Sequence, residues 1–173
     1  MPFRRCWHSK SRDRLQPCSR SQDSGHVSLD RISKSHRSWN MSRIRPSDTL
    51  PEVAVRSALH RIGYRFRLHV SSLPGRPDIV IPRLRLVIFV HGCYWHRHRN
   101  CRLAYSPKSN RAFWQAKFRE NVRRDAAKSR ELTRLGWHVA VIWECATSQT
   151  KSLEIAIAAA LSKAGVDHVR RSG

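Results

Sequence analysis

Eleven consecutive residues, His91-Gly92-Cys93-Tyr94-Trp95-His96-Arg97-His98-Arg99-Asn100-Cys101, carry five cysteine and histidine side chains. Cys93, His98 and Cys101 supply thiolate and imidazole ligands at spacings that a zinc ion gathers, and a closed structural zinc site wants four. The fourth is missing locally. Outside the N-terminal stretch the one remaining cysteine is Cys145, in Trp143-Glu144-Cys145, so a site closed by it ties two distant parts of the chain together. Any fold for this chain has to meet that constraint. His91 and His96 are left over beside the site, where imidazoles suit acid–base or phosphate-contacting work.

The charge points to a polyanionic partner. Lys and Arg number 34 against 12 Asp and Glu, a formal net charge of +22 over 173 residues, with a pI near 11.5. Residues 1–29 hold only six of the basic and two of the acidic side chains, leaving 28 against 10, or +18, on the remainder. The basicity therefore belongs to the folded part, and nucleic acid fits it best. A membrane reading is weaker, because no apolar run approaches the roughly 20 residues that span a bilayer. The basic N-terminus has no apolar segment of the secretory kind. Five cysteines, three of them set beside histidine as ligands, suit a reducing compartment and metal-bound thiolates better than a disulfide framework.

Residues 1–29 are rich in Ser, Arg, Gln and Pro and read as a disordered basic tail outside the functional protein, with Cys6 and Cys18 as free thiols. Thr49-Leu50-Pro51-Glu52 matches a capping box, and Val55, Ala58, Leu59 and Ile62 follow at helical spacing up to Gly63. Strict alternation over 64–70 predicts a half-buried strand. After the turn Leu73-Pro74-Gly75-Arg76-Pro77, residues 78–81 and 84–90 read as a hairpin whose second member is apolar enough for a central strand. A long helix is expected over 111–135, with Asn110 as N-cap and Gly136 past its end. A strand over 137–143 follows through a right-handed crossover, and a last helix covers 153–164. The order α-β-β-β-α-β-α describes an α/β domain, a mixed sheet flanked by helices.

Three groups of residues carry candidate chemistry, each with a plainer alternative. Asp78 opens one hairpin strand while the other delivers His91, so carboxylate and imidazole can meet at one sheet edge, although Pro-Asp by itself is usually just a turn. Glu52 is explained by the capping box. Tyr94 and Trp95 are neighbours in the metal loop and cannot both face one core, so either packing on the zinc site or an exposed wedge accounts for them. Trp114, beside Phe113 on the long helix, reads by itself as core. Most of the basic side chains around the loop and along that helix are solvated, and a few are expected to meet phosphates.

Taken together, Arg37-Ser38-Trp39-Asn40-Met41-Ser42-Arg43-Ile44-Arg45, Leu73-Pro74-Gly75-Arg76-Pro77-Asp78, Val90-His91-Gly92-Cys93-Tyr94-Trp95-His96 and Val141-Ile142-Trp143-Glu144-Cys145 resemble the very short patch repair (Vsr) endonucleases over about Arg37 to Ala146. The resemblance implies a restriction-endonuclease-like fold and a magnesium-dependent hydrolysis that nicks duplex DNA 5′ of the thymine in T:G mismatches left by deamination of 5-methylcytosine. It implies that Asp78 binds Mg²⁺ with the backbone carbonyl of Val90, that His91 and His96 are catalytic, and that Glu52 reaches the metal through water. It further implies a structural Zn²⁺ on Cys93, His98, Cys101 and Cys145, and intercalation by Tyr94, Trp95 and Trp114. The domain is then 30–150, followed by a C-terminal helix and tail over 151–173. A monomer in the bacterial cytoplasm at the nucleoid is expected, with mismatched DNA and mismatch-repair proteins as partners. The alternatives kept beside this are a Vsr-like restriction nuclease that cuts matched duplex at a sequence site, and a zinc-stapled DNA-binding protein without catalysis.

Overall fold

The computed structural model describes residues 47–166, together with Ser33, His36 and Trp39. The tail over 1–29, Cys6 and Cys18, most of the Arg37–Arg45 block and residues 167–173 lie outside the described residues. Thr49 caps the first helix, α1 (Leu50–Arg61), its side chain accepting from the Glu52 N–H at 3.5 Å. The Glu52 carboxylate returns to the Thr49 hydroxyl and reaches one residue further back, to the Asp48 N–H. Val55, Ala58 and Leu59 form the buried stripe of α1. The helix stops at Gly63, whose φ of +85° lets its N–H meet the His60 carbonyl and that of Tyr64 meet Leu59, a Schellman closure.

Strands β1 (Arg67–Leu68), β2 (Ile79–Ile81), β3 (Leu86–His91) and β4 (His138–Trp143) form one sheet in that order. β2 runs antiparallel to both of its neighbours, β1 and β3, and β3 pairs β4 in parallel. A parallel pair needs a crossover, and here it runs through the 24-residue helix α2 (Arg111–Arg134). Helix α3 (Thr150–Ser162) closes the described chain.

The expected elements are all present, with four differences. The strand expected over 84–90 starts only at Leu86, because Pro82–Leu84 wind into a 3-10 turn and Arg85 is left-handed at φ 45°. The strand expected over 64–70 pairs only at Arg67 and Leu68, because its partner β2 is three residues long and His69 turns left-handed at φ 48°. Asn110 precedes α2 but is itself left-handed, φ 49°, and its side chain makes no capping bond. The last helix begins three residues earlier than its apolar spacing suggested, at Thr150.

Side-chain alternation gives the sheet two distinct faces. Ile79, Ile81, Leu86, Ile88, Ala140 and Ile142 pack against α1 and α3 in one core. Val80, Val87 and Phe89 lie on the other face with Leu132 of α2. By the same parity Asp78 and His91 belong to the α2 face. The sheet thus delivers both groups to one side before any site chemistry is considered.

Candidate active site and metal centre

A cavity of about 220 Å³ opens where the α2 face of the sheet runs out, and Glu52, Asp78, His91 and His96 all line it. Continuing the β2–β3 register one step past Ile79↔Ile88 brings Asp78 against the end of β3. There its Oδ2 accepts the Val90 N–H at 2.8 Å. That bond fixes the carboxylate and leaves Oδ1 for another partner. Burial, reinforced by the nearby Glu52 carboxylate, raises the Asp78 pKa above its ordinary value, and the Val90 N–H only partly opposes this. A divalent cation in the cavity would reverse that penalty. The donors available, carboxylate oxygens and a backbone carbonyl, are the hard oxygens that Mg²⁺ prefers.

The turn after β3 is wound by two bonds, His96 N–H to the Gly92 carbonyl at 3.1 Å and His98 N–H to the Cys93 carbonyl at 3.0 Å. It lays the His96 ring on that of His91, centroids 3.9 Å apart and 13° from parallel. Two rings so close cannot share two positive charges comfortably. Burial first, then His96, push the His91 pKa down to about 4, so His91 is neutral near pH 7. His96 has a different neighbour, the Asp125 carboxylate of α2, 2.5 Å from its Nδ1. An ionised carboxylate can only accept, so Nδ1 carries the hydrogen and Nε2 is the nitrogen turned to other work.

On the far side of the same turn, Cys93, His98, Cys101 and Cys145 bring one ligand atom each within 4.8 Å of the others. His98 directs Nδ1 at two sulfurs, 3.6 Å from Cys93 and 3.3 Å from Cys145, and its ring stacks on Trp143 at 4.3 Å. Glu144 accepts the Cys93 N–H at 3.0 Å, so the turn is tied to the end of β4 even apart from the sulfurs. Burial pushes the Cys93 thiol up to about 12 and also raises Cys145. Three thiols and an imidazole at this spacing form a soft donor set that fits Zn²⁺, which would hold the sulfurs as thiolates.

The aromatic residues of the turn join those of α2. Tyr94 meets Trp95 edge to face at 5.0 Å and Phe118 at 5.1 Å, and Trp95 lies 6.0 Å from Trp114. All three candidate wedges are half-buried in this one cluster, and Tyr105 and Phe113 stand exposed at its rim.

The Vsr family profile, described as DNA mismatch endonuclease Vsr, matches residues 29–103. The chain is 51% identical over 125 residues to the type II nicking enzyme V.XorIIP of Xanthomonas oryzae pv. oryzae, covering 72% of this chain and 91% of that relative. It is 45% identical over 113 residues to the DNA mismatch endonuclease Vsr of Escherichia coli (strain K12), covering 65% and 72% respectively. The chain belongs to the Vsr family. A further relative, the type II nicking enzyme V.NmeAIP of Neisseria meningitidis, is 40% identical over 116 residues, 67% of this chain and 82% of its own length.

In this Vsr-family chain the residues singled out in the sequence fall into three adjoining groups. Asp78, Val90, His91, His96 and Glu52 share the cavity, the three cysteines and His98 share the sulfur cluster, and Tyr94, Trp95 and Trp114 share the aromatic cluster. Beside the last lies a groove of about 600 Å³, floored by Trp114 and Phe118 and edged by Arg97, Arg111, Arg119 and Arg123. Arg97 stacks over Phe118 at 4.5 Å while bonding the Tyr105 carbonyl.

Sequence reading missed Asp125, Lys128, His69 and Glu144. The first two had a detectable signal. Positions 114, 118, 121, 125, 128 and 132 form one helical stripe, apolar at Trp114, Phe118 and Leu132 and polar in the middle at Asn121, Asp125 and Lys128. A polar interruption in a core-facing stripe marks a site. Asn121 bonds the Trp95 carbonyl at 3.2 Å, Asp125 holds His96, and Lys128 lines the cavity. Gly75 allows that approach, since a Cβ there would stand 2.6 Å from Lys128 Cδ.

Proposed function

We propose that this Vsr-family protein is a nicking endonuclease that hydrolyses one strand of duplex DNA on the 5′ side of the thymine in a T:G mismatch, on a restriction-endonuclease-like fold. The observation that carries the reading is the single cavity holding Asp78 and the stacked His91–His96 pair beside a strongly basic, aromatic face. Asp78 Oδ1 and the Val90 carbonyl would hold Mg²⁺, with Glu52 reaching it through water. When bound, the ion offsets the charge developing on the phosphate and lowers the pKa of water.

The two imidazoles divide the remaining work. His96 takes the proton of the attacking water at Nε2, because Asp125 at Nδ1 stabilises the imidazolium that forms, the same logic by which a carboxylate supports a histidine base elsewhere. His91, pushed down to about 4, is too weak a base for that step at neutral pH and instead stays neutral and hydrogen-bonds the phosphoryl oxygens. Tyr94, Trp95 and Trp114 enter the stack next to the mismatch, where the unstacking cost of roughly a few kcal/mol per step is smallest.

Cys93, His98, Cys101 and Cys145 would hold a structural Zn²⁺, fixing the turn that carries His96 beside the end of β3, where His91 stands. Cys145→Ser should release the ion and lower the melting temperature, since metal binding energy is in part folding energy. One zinc per chain retained in that variant would contradict the four-ligand site.

The test of function is a strand-specific nicking assay on T:G and T:A duplexes with and without magnesium. Nicking confined to the T:G duplex and dependent on magnesium is expected. The relatives named as type II nicking enzymes favour a second reading, in which a sequence context licenses the cut. Equal cutting of matched and mismatched duplex at one sequence supports that reading and removes the repair function.

A further inference from the structure

His69 stands in the left-handed region at φ 48°, a conformation that glycine and asparagine adopt more readily than histidine. Its side chain is nonetheless half-buried, with only 17% of its area exposed, between the two carboxylates of the cavity wall. Nε2 lies 3.2 Å from Arg56 Nη2 and 3.7 Å from Glu52 Oε2, and Nδ1 lies 3.9 Å from Asp78 Oδ1. The backbone is pinned as well, by His69 N–H to the Asp78 carbonyl at 3.4 Å and Arg76 Nε to the His69 carbonyl at 3.3 Å. Strain of this kind persists where the surroundings hold it, and here what it delivers is an imidazole to Asp78.

The tautomer follows from donors and acceptors. A guanidinium nitrogen only donates, so Nε2 must accept from Arg56 and the hydrogen sits on Nδ1, facing Asp78 Oδ1. Asp48, Glu52 and His69 also bring ligand atoms within 4.8 Å of one another, as a metal site would. Arg56 occupies that position, however, with Nη1 on Asp48 at 2.5 Å and Nη2 on Glu52 at 2.8 Å. The cation of this cluster is a side chain.

We propose that His69 is a positioning residue for the metal-binding carboxylate: its Nδ1–H orients Asp78 Oδ1 from one side, as the Val90 N–H fixes Oδ2 from the other, and Arg56 sets the ring. The inference rests on Asp78 being the magnesium ligand. At 3.9 Å the Nδ1–Oδ1 pair is beyond hydrogen-bond length, so the ring acts on the carboxylate as a nearby oriented dipole that favours one rotation of the carboxyl plane. Outer partners of metal ligands act in this way, setting orientation and raising affinity about 10–100-fold without touching the ion.

Mn²⁺ binding to the full, zinc-loaded chain, followed by the electron paramagnetic resonance signal of free Mn²⁺, tests it together with thermal melting and magnesium-dependent nicking. Asp78→Asn serves as the control that removes the site. His69→Ala and His69→Gly should each weaken Mn²⁺ by roughly tenfold, whereas His69→Gln, which can accept from Arg56 and donate to Asp78, should stay within about threefold of wild type. His69→Gly should melt above His69→Ala, because glycine accepts the left-handed backbone and alanine does not. Affinity and melting temperature therefore part company. Wild-type affinity in the alanine and glycine variants would overturn the proposal, and so would affinity that tracks melting temperature or a glutamine variant as weak as alanine. If Asp78→Asn leaves Mn²⁺ binding intact, the magnesium assignment itself fails, independently of His69.

Discussion

The two faces of the sheet are built from the same strands, β2, β3 and β4, yet have opposite characters. Against α1 and α3 every inward position is apolar, from Ile79 through Ile88 to Ile142. Against α2 the apolar run Val80, Val87, Phe89 is short, and the strand ends offer Asp78 and His91 to a helix that answers with Asp125 and Lys128. One face lowers the free energy of the fold and the other spends part of that stability on buried polar groups. The separation is geometric, since residues one apart on a strand cannot share a face.

This contrast can be broken most sharply at Asp78. Asp78→Ala should lower nicking by about 10³-fold or more, the several kcal/mol that a positioned metal supplies to a phosphoryl transition state. Stability should not fall with it. The folded pKa of Asp78 is raised, so the stability linked to this group is full below the unfolded value near 3.8 and is lost as pH rises through the folded value. At neutral pH without added magnesium, the variant should therefore melt no lower than wild type. A large drop in melting temperature would assign Asp78 to structure.

Ile88 is the counterpart on the other face, fully buried between sheet and helices. Ile88→Ala should destabilise the fold by about 3 kcal/mol through lost burial and the cavity left behind, measured by denaturant unfolding. Nicking per folded molecule should be unchanged well below the melting point. Loss of activity in fully folded Ile88→Ala would show that the faces are coupled rather than separate.

A smaller effect distinguishes the histidines. Asp125→Asn keeps the shape of the contact to His96 but cannot stabilise an imidazolium, and should cost about 10²-fold in the single-turnover nicking rate. Duplex affinity should hold. A rate within twofold of wild type would return the proton to His91 or to solvent.

How much of this was legible in the sequence follows the same division. The apolar face declared itself, because continuous runs such as Leu86–Val90 and the Val55, Ala58, Leu59 spacing have few other uses, and Gly63 and Gly136 mark the helix ends they terminate. Asp78, His91, His96 and the cysteines were visible through their spacing and the motif blocks that contain them. Asp125 was not, because on a helix with eight Lys and Arg among its residues a carboxylate reads as one more solvated charge. Only the phase of Asn121, Asp125 and Lys128 against Trp114, Phe118 and Leu132 betrays it. His69 left less trace still. Strict alternation promised a strand through position 70, and the left-handed turn that aims the imidazole at Asp78 is a property of backbone conformation that alternation does not encode.

The smallest expected effect lies at the aromatic cluster, where chemistry and packing overlap. Tyr94, Trp95 and Trp114 touch one another, so truncating one of them removes core contacts as well as any wedge. Comparing two duplexes cancels the shared part: the packing loss weakens matched and T:G binding alike, whereas a stacking loss appears only where a base step opens. Trp95→Ala should reduce affinity for T:G duplex about fivefold more than for matched duplex, close to 1 kcal/mol, the low end for a base stacked on an aromatic ring. Affinities measured at one salt concentration are essential, because the +22 charge makes both strongly salt-dependent. Equal losses on the two duplexes would place Trp95 with the packing face of the molecule, and the wedge would then have to be sought at Tyr94 or Trp114.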